Sequence, residues 1–327
     1  MKLSQDTRVI SAKACAEIVT NDGETTMKRA LVLTVLCAFS LVAVMAQDTP
    51  KVIEVEQLED NLFVLRGEGG GGNTAVFVTT DGVVVVDTKN PDWGQPILAQ
   101  IRQLTSNPVT TLVNTHSHGD HVSGNVAFAD TVEFVAHEVT KSNMEAMRPY
   151  TGRTEPPVNV FAATNGHGLP TRTFSDRLSI GTGSDQVDLY HFGRAHTGGD
   201  AWVVFPALRT LHAGDAFLGK RVPFLDAENG GSGVAIPDTL QRAHDEIRDV
   251  DTIITGHSTQ MAWSDLNEWA AFNRDFLAMV RQGREAGRSV EEIANAWTIP
   301  SQYAGYDAPN MESVRRNIQV IVDELEN

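Results

Sequence analysis

The chain has 327 residues, of which 41% are hydrophobic and 21% are charged. This composition provides enough apolar side chains for a large core, and it excludes an extended disordered chain, a collagen and a polytopic membrane protein. Its 42 acidic residues outnumber 26 basic ones, for a formal net charge of -16. Because such a charge repels phosphate backbones, we expect a small-molecule substrate and no nucleic-acid partner.

Residues 27–46, MKRALVLTVLCAFSLVAVMA, have the pattern of a secretory signal peptide. A basic pair precedes an apolar stretch, and small residues stand before the polar residues that follow. We expect cleavage after Ala46, so that residues 1–26 precede the true start at Met27. The mature protein is then periplasmic or secreted and keeps no membrane span. The alternative is an uncleaved membrane anchor.

Both cysteines of the chain, Cys15 and Cys37, lie before the expected cleavage site. The mature protein therefore has no thiol with which to form a disulfide, despite an oxidising destination. Any metal site in it must be built from His, Asp and Glu.

The mature chain begins with short β segments and then alternates between helix and strand. Apolar runs separated by turn residues predict strands over Val52–Gln57, Leu62–Arg66, Thr74–Thr79 and Val83–Asp87. The glycine run at residues 69–72 is typical of a flexible hairpin rather than a phosphate cradle, since no helix start or lysine follows it. A helix over Trp93–Leu104 and a strand over Val109–Asn114 come next. This order predicts a layered α/β fold.

Apolar residues recur at helical spacing after His257, at Leu266, Trp269, Phe272, Phe276, Met279 and Val280. Further helical patterns follow at residues 290–294 and 311–325, and Ser289 with Glu292 predicts a capping box. We therefore expect a main domain over residues 52–257 and a C-terminal helical extension over residues 258–327.

Four potential metal ligands lie close together directly after the strand that ends at Asn114: His116, His118, Asp120 and His121. Residues i and i+2 of an extended segment project to the same side. His116 and His118 can therefore bind one ion together, while Asp120 and His121 turn towards a neighbouring one.

Three isolated residues can complete such a site from other parts of the chain. His196, Asp215 and His257 each follow an apolar run and stand beside a glycine, which places them at strand ends, where functional residues gather. His191 and His212 precede two of them by a few residues. Either could orient a ligand or simply pack inside the fold.

In this order of ligands the sequence resembles the metallo-β-lactamase-fold superfamily, whose signature is His-x-His-x-Asp-His followed by a later His, an Asp and a final His. The resemblance covers roughly residues 52–257 and implies a four-layer αβ/βα sandwich with the metal site at one edge. It implies ligand roles for residues of this chain: His116, His118 and His196 for the first metal, Asp120, His121 and His257 for the second, Asp215 as a bridge between both, and Asp87 as a support of the histidine loop.

Differences between the ligand residues of this sequence and those of particular branches of the superfamily reduce the number of branches that it can resemble. The mature chain has no cysteine ligand, and His118 stands where the flavin-linked di-iron branch typically has Glu. Asp215 resembles the bridging Asp of the glyoxalase II type hydrolases, whereas lactamases of the cysteine-free subclass usually have a serine there. A β-lactam substrate is therefore not favoured over other carbonyl compounds.

The resemblance implies a binuclear metallo-hydrolase that attacks an ester, thioester, lactone or amide bond with a metal-bridging hydroxide. Two cations lower the pKa of the water between them, and Asp120 would orient it and carry a proton. Two Zn²⁺ ions are expected, although the ligands also suit Fe²⁺ or Mn²⁺. The alternatives are an iron-dependent sulfur dioxygenase of the same fold and a non-catalytic periplasmic metal-binding protein.

Two segments with glycine and proline are predicted as loops at the rim of the pocket, Met144–Thr171 and Phe217–Pro237. No residue is assigned to substrate binding. The polar and aromatic candidates in these loops are Arg148, Tyr150, Arg153, Phe161, Lys220, Arg221, Phe224 and Asp226, and Tyr303 and Tyr306 are candidates from the C-terminal extension.

Overall fold

A computed structural model describes residues 51–327, which form one compact unit. The predicted signal peptide, its cleavage site and both cysteines lie outside the described residues. None of the helices in this part of the chain is both long and apolar enough to span a membrane.

The first sheet has seven strands, which lie side by side in the order in which they follow along the chain. They are β1 (Glu54–Glu59), β2 (Leu62–Arg66), β3 (Thr74–Val78), β4 (Val83–Val86), β5 (Val109–Asn114), β6 (Glu133–His137) and β7 (Arg172–Phe174). Strands β1 to β4 pair as an antiparallel meander. Strands β4 to β7 pair in parallel, so their carboxyl ends reach the same edge.

The second sheet has six strands in the order β13-β12-β11-β10-β9-β8. They are β8 (Arg177–Ile180), β9 (Val187–Tyr190), β10 (Trp202–Phe205), β11 (Thr210–His212), β12 (Thr252–Ile254) and β13 (Met261–Ala262). Strands β11 and β12 pair in parallel, and the other neighbours are antiparallel. The carboxyl ends of β11 and β12 therefore also lie together.

Eight α-helices surround the two sheets in the described part. They are α1 (Gly94–Leu104), α2 (Gly119–Val122), α3 (Glu138–Ala146), α4 (Val160–Ala163), α5 (Ile236–Glu246), α6 (Trp263–Glu285), α7 (Val290–Ala296) and α8 (Met311–Glu326). Helix α7 begins with the predicted capping box, because the Ser289 hydroxyl accepts from the Glu292 N–H at 3.2 Å and the Glu292 carboxylate accepts from the Ser289 N–H at 2.8 Å.

The alternation of side chains along β4 shows how the layers form. Val84 and Val86 belong to the core between the two sheets, whereas Val83 and Val85 face the opposite way and pack with α1. The outer face of the second sheet, through Trp202 for example, packs against α5, α6 and α8. The resulting order of helix, sheet, sheet and helix confirms the predicted αβ/βα sandwich with C-terminal helices.

Some predicted boundaries differ from the observed ones for identifiable reasons. Strand β1 lies two residues later than the predicted Val52–Gln57 because a turn after Glu59 sets its pairing with β2. The predicted loop over Met144–Thr171 contains the end of α3 and the short helix α4. Helix α4 forms because Asn159 caps it and because the Phe161 ring is buried.

The side chain of Trp269 on α6 connects the C-terminal helices to the sandwich. It is fully buried, stacks on Phe217 with a ring separation of 5.6 Å, and donates from Nε1 to the carbonyl of Ala216 at 3.1 Å. Trp269→Ala should lower the free energy of unfolding by about 3–5 kcal/mol, because it leaves a large cavity and an unpaired carbonyl. Denaturant unfolding measures this loss, and Trp263→Ala on the same helix is the control.

Trp263 is only partly buried and stacks on His244. Its truncation should cost about 1 kcal/mol. Equal losses for the two variants would contradict the packing of α6 described above.

Candidate metal centre

The predicted ligands lie at one edge of the sandwich, where strands of both sheets end. His116 and His118 follow β5, and Asp215 follows β11. His257 follows β12, and His196 lies between β9 and β10. Parallel pairing of β4 with β5 and of β11 with β12 accounts for this convergence, since it directs their carboxyl ends to the same edge.

The first group of ligands consists of His116, His118, His196 and Asp215, each of which offers an atom within 4.8 Å of the others. His118 Nδ1 and His196 Nε2 face each other at 3.1 Å. Oδ2 of Asp215 lies 3.7 Å from His196 Nε2 and 3.9 Å from His116 Nε2. All four residues are buried.

The second group consists of Asp120, His121 and His257. His121 Nε2 and His257 Nε2 are 3.2 Å apart, and Asp120 Oδ2 lies 3.3 Å from His257 Nε2. Asp215 also reaches this group, with Oδ1 at 3.2 Å from His121 Nε2 and Oδ2 at 3.3 Å from His257 Nε2. Its carboxylate therefore lies between both groups, which is the position a bridging ligand needs.

The hydrogen bonds around the imidazole rings fit metal binding. The ring nitrogen that faces away from the centre contacts a fixed oxygen in four of the histidines: His116 Nδ1 contacts Thr115 Oγ1 at 3.0 Å, His118 Nε2 contacts Asp226 Oδ2 at 2.7 Å, His121 Nδ1 contacts Asp87 Oδ2 at 2.7 Å, and His196 Nδ1 contacts the Phe224 carbonyl at 2.5 Å. Within residues 51–327, the buried atoms His116 Nε2 and Asp215 Oδ1 have no hydrogen-bond partner. Nitrogen and carboxylate oxygen donors aimed at one point suit a divalent cation such as Zn²⁺.

The electrostatic field at the centre also favours a cation. Burial disfavours the charged imidazole, but Asp215, Asp87 and Asp120 raise the pKa of His121 well above its usual 6.5. Burial likewise opposes ionisation of Asp215, yet His257 and His121 hold its pKa well below 3.8. The Asp215 carboxylate therefore stays ionised in the site and attracts either protons or metal ions.

Asp87 directly supports the histidine loop, as its predicted role requires. Its Oδ1 accepts from the Thr115 N–H at 2.8 Å, and its Oδ2 accepts from the Thr115 hydroxyl at 2.6 Å and contacts His121 Nδ1 at 2.7 Å. Asp87 has a φ of 61° and is fully buried. This left-handed backbone is uncommon for an Asp and directs the carboxylate to two elements at once.

Asp226 also supports a ligand, although the sequence indicated only a possible substrate contact. It is fully buried, and its Oδ1 accepts from the Thr151 N–H at 2.9 Å while its Oδ2 contacts His118 Nε2 at 2.7 Å. Burial opposes its ionisation, but the bonds and charge of His118 lower the pKa of Asp226 to about 2. No sequence motif marks this Asp, since it lies in a loop far from the histidines along the chain.

Two glycines allow other groups to approach the ligands closely. A Cβ at Gly256 would lie 1.9 Å from Asp215 Oδ1, and a Cβ at Gly72 would lie 2.1 Å from His121 Cε1. The glycine run joins the antiparallel strands β2 and β3, as the predicted hairpin requires, and its Gly72 N–H also donates to the Asp120 carbonyl at 3.0 Å. No pattern in the sequence indicated this contact.

Two further side chains that the sequence did not single out fix the same loops. Asn73 Nδ2 donates to the carbonyls of Thr255 and Ser258, each at 2.8 Å, and so holds the turn that carries His257. Lys89 is fully buried and donates to the carbonyl of Gly72. Burial lowers the pKa of Lys89 to about 7.

A cavity of about 790 Å³ opens onto the ligands and is lined by both predicted rim loops. The Tyr150 ring packs at a tilt against His118 with ring centroids 4.1 Å apart, and its hydroxyl accepts from the Gly119 N–H at 2.7 Å. Arg221 and Phe224 line the same cavity from the other predicted rim loop, Phe217–Pro237.

Other rim candidates lie elsewhere. Lys220 forms ion pairs with Asp265 and Glu268, at 2.9 and 3.1 Å. Arg148 donates a hydrogen bond to Asn143, and Phe161 is buried in a small apolar cluster. Tyr303 and Tyr306 pack on Phe272. Arg153 is not among the residues that line the cavity.

Neither His191 nor His212 forms a hydrogen bond to a predicted ligand in the described structure. His191 stacks on His137 and bonds the Asp200 carbonyl at 3.0 Å. His212 is buried and lies 3.3 Å from the Asn73 carbonyl. Both histidines therefore pack inside the fold and do not orient a predicted ligand.

A family model for the metallo-beta-lactamase superfamily matches residues 67–257. The "Metallo-beta-lactamase type 2" of Elizabethkingia meningoseptica is 28% identical over 195 residues, which cover 57% of this chain and 68% of that protein. The "2,4-dinitroanisole O-demethylase subunit alpha" of a Nocardioides species is 30% identical over 143 residues, or 41% of this chain and 38% of that protein. A "Linear primary-alkylsulfatase" from a Pseudomonas species is 33% identical over 60 residues, or 18% of this chain and 11% of that protein. The match thus spans well under half of these last two relatives.

Solved structures show the same fold. A metallo-beta-lactamase from Pontibacter korlensis superposes with a TM-score of 0.55 and 19% identity, covering 68% of this chain and 99% of that one. A double mutant of the sec-alkyl sulfatase PisA1 gives a TM-score of 0.63 and 14% identity, covering 82% of this chain and 50% of that one. The predicted resemblance and fold are thereby confirmed, whereas the ligand roles of individual residues stay predictions.

Asp226→Asn should weaken metal binding by about 10- to 100-fold, because an amide cannot accept from His118 and from Thr151 as the carboxylate does. Competition with a chromogenic chelator measures the affinity. Asp188→Asn is the control, because Asp188 is an equally buried carboxylate on β9 that bonds Ser179 and Gln186. An unchanged affinity in Asp226→Asn would show that His118 does not need this carboxylate.

Proposed function

The chain belongs to the metallo-beta-lactamase superfamily, and we propose that it is an exported binuclear zinc hydrolase of an ester, thioester, lactone or amide bond. The observation that carries the proposal is the position of Asp215, whose carboxylate lies within 4 Å of imidazole nitrogens of both ligand groups: Oδ2 is near His196 and His257, and Oδ1 is near His121. A single ion would need only one of these groups. Two groups that share a carboxylate are suited to a two-metal centre.

The proposed chemistry divides between the bound metals and the side chains around them. When bound, two divalent cations activate water and polarise the bond to be broken. His116, His118 and His196 would hold the first ion, Asp120, His121 and His257 the second, and Asp215 both.

Asp120 is the one carboxylate among these ligands with substantial exposure, since 27% of its side chain is accessible in the cavity. Its Oδ2 can accept a proton from the attacking water and return it to the leaving group. Tyr150 and Phe224 form apolar walls on either side of His118, with ring separations of 4.1 and 5.7 Å, and they limit access of bulk water.

The relatives support hydrolysis but point to different bonds, since their names are those of a lactamase, an alkylsulfatase and an O-demethylase subunit. The choice of a carbonyl compound rests on the ligand set with a bridging Asp215. Export rests on the sequence pattern of residues 27–46. Mass spectrometry of the protein from a periplasmic extract tests export, with Gln47 as the expected first residue.

The decisive experiment measures turnover of four substrate classes by the purified protein: a glutathione thioester, an acyl lactone, a cephalosporin and an aryl ester. Each is measured before and after removal of metal by a chelator, and again after addition of Zn²⁺. We expect one class to be hydrolysed, to lose turnover with the metal and to regain it with zinc. Turnover that persists in metal-free protein would refute the proposal, and bound iron with sulfite production under oxygen would favour the dioxygenase.

Asp120→Asn should lower kcat by about 10²- to 10⁴-fold, because an amide cannot shuttle the proton. Bound metal is measured in parallel, since a loss of the second ion alone would also reduce the rate. Asp130→Asn is the control, as Asp130 is an exposed carboxylate paired with His167. A kcat within twofold of the wild type in a fully metallated Asp120→Asn protein would remove Asp120 from the proposed chemistry.

A further inference from the structure

Helix α8 contributes to the cavity although it lies beyond residue 257, where the family match ends. Its N-cap Asn310 and two residues of its first turns, Ser313 and Arg316, line the cavity that opens onto the predicted metal ligands. The helix is fixed in place because Asn317 Nδ2 donates to the Pro223 carbonyl and its Oδ1 accepts from the Leu225 N–H at 3.2 Å. The segment that carries Phe224 is thereby tied to α8.

Arg316 is close to the predicted ligands. Its guanidinium carbon lies 4.8 Å from the centre of the Phe224 ring. The same ring lies 5.5 Å from the His196 ring and 5.7 Å from the His118 ring. One aromatic ring therefore separates this cation from two imidazoles of the first ligand group.

Arg316 forms no ion pair with a carboxylate in the described part of the chain. Among residues 51–327 no Asp or Glu oxygen lies within 4.0 Å of its nitrogens, and its buried Nε has no hydrogen-bond partner. Nη2 donates to the neutral hydroxyl of Ser313 at 3.1 Å. Burial lowers the pKa of Arg316, and the charge of Arg153 adds to this effect against the attraction of Glu312 and Asp226, neither of which is close enough to form an ion pair.

Two other arginines near this site each form an ion pair with a carboxylate. Arg221, which also lines the cavity, pairs with Asp307 at 3.3 Å. Arg315, the neighbour of Arg316 on α8, lies outside the cavity and pairs with Glu291 at 3.5 Å. In a chain with a net charge of -16, a half-buried guanidinium without a carboxylate partner is an exception that needs a cause.

We propose that Arg316 is a specificity-determining residue that binds a carboxylate carried by the substrate away from the bond that is cleaved. A guanidinium forms two parallel hydrogen bonds with a carboxylate, and partial burial strengthens them. Substrate binding supplies the counter-charge that the protein does not. The substrate class deepens the proposed hydrolytic function and rests on it, whereas the binding site itself can be tested without turnover.

The competing explanation is that Arg316 only stabilises the Phe224 loop through its contact with the ring. That role would affect neutral and anionic substrates equally. The two explanations are therefore separated by a pair of substrates that differ only in the remote charge.

The kinetic experiment compares the mono-4-nitrophenyl ester of adipic acid with 4-nitrophenyl hexanoate, which ends in a methyl group instead of the carboxylate. We expect the wild type to favour the adipate ester, and Arg316→Gln to lower kcat/KM for this ester by about 10- to 100-fold. The loss should appear in KM with kcat almost unchanged, since a remote contact acts equally in the ground and transition states. Turnover of the hexanoate ester should stay within twofold, and Arg316→Lys should restore part of the preference.

Arg315→Gln is the matched control, because it removes the same charge from the same helix on a side that does not face the cavity. It should leave both esters unaffected. Equal losses for the adipate and hexanoate esters in Arg316→Gln would overturn the proposal in favour of a purely structural role. Equal, chelator-sensitive hydrolysis of the adipate and hexanoate esters by the wild type would overturn the role of Arg316 in binding a carboxylate, and it would leave the proposed hydrolytic function unaffected.

A binding measurement decides the matter even if neither ester is hydrolysed. Monomethyl adipate is titrated calorimetrically into chelator-treated protein, so that no metal can bind the carboxylate. Binding by the wild type and by Arg315→Gln, with at least tenfold weaker binding by Arg316→Gln, supports the site independently of catalysis. Absence of binding by the wild type, or binding of methyl sulfate but not of monomethyl adipate, would overturn the carboxylate assignment.

Discussion

The carboxylate of Asp87 is the contact on which the geometry of the whole site depends. It stands at the end of β4, accepts two hydrogen bonds from Thr115 at the end of β5, and contacts Nδ1 of His121. One buried group thus fixes the spacing of two strand ends and the orientation of a ligand. Because a φ of 61° is uncommon for a residue other than glycine, the hydrogen bonds to Thr115 and His121 help to hold Asp87 there, and the rigidity of the sandwich reaches the predicted ligands through this residue.

The same reasoning explains why the ligands come from distant parts of the chain. Parallel pairs of strands, β4 with β5 and β11 with β12, bring four carboxyl ends to one edge. Loops that leave the strands at the same edge bring together side chains that lie far apart in the sequence. Gly256 completes the arrangement, since any side chain there would occupy the position of the Asp215 carboxylate.

Many of the strands and most of the candidate ligands could be predicted from the sequence because they depend on patterns of residues that are close together along the chain. The strands Leu62–Arg66 and Val109–Asn114 have the predicted bounds, as alternating or continuous apolar runs between turn residues define them well. The cluster from His116 to His121 carries four ligand-type side chains within one loop. Asp226, Asn73 and Arg316 could not be found in this way, because their roles arise from contacts across the fold and none stands in a recognisable motif.

The structure separates the residues that can hold metal from those that surround the substrate. Every predicted ligand lies within the segment matched by the superfamily, and its supports, Asp87 and Asp226, lie there too. Part of the cavity wall, by contrast, comes from α8, a helix beyond that segment. The two parts are not fully independent, because Asn317 on α8 holds the segment whose Phe224 carbonyl contacts His196. Arg316 on the same helix forms no hydrogen bond to a predicted ligand in the described structure, so this part of the wall can change while the hydrogen bonds of the ligands are kept. In such an arrangement, the ligands at the strand ends decide which chemistry is available, and a helix outside them can change the shape and charge of the cavity without supplying a ligand.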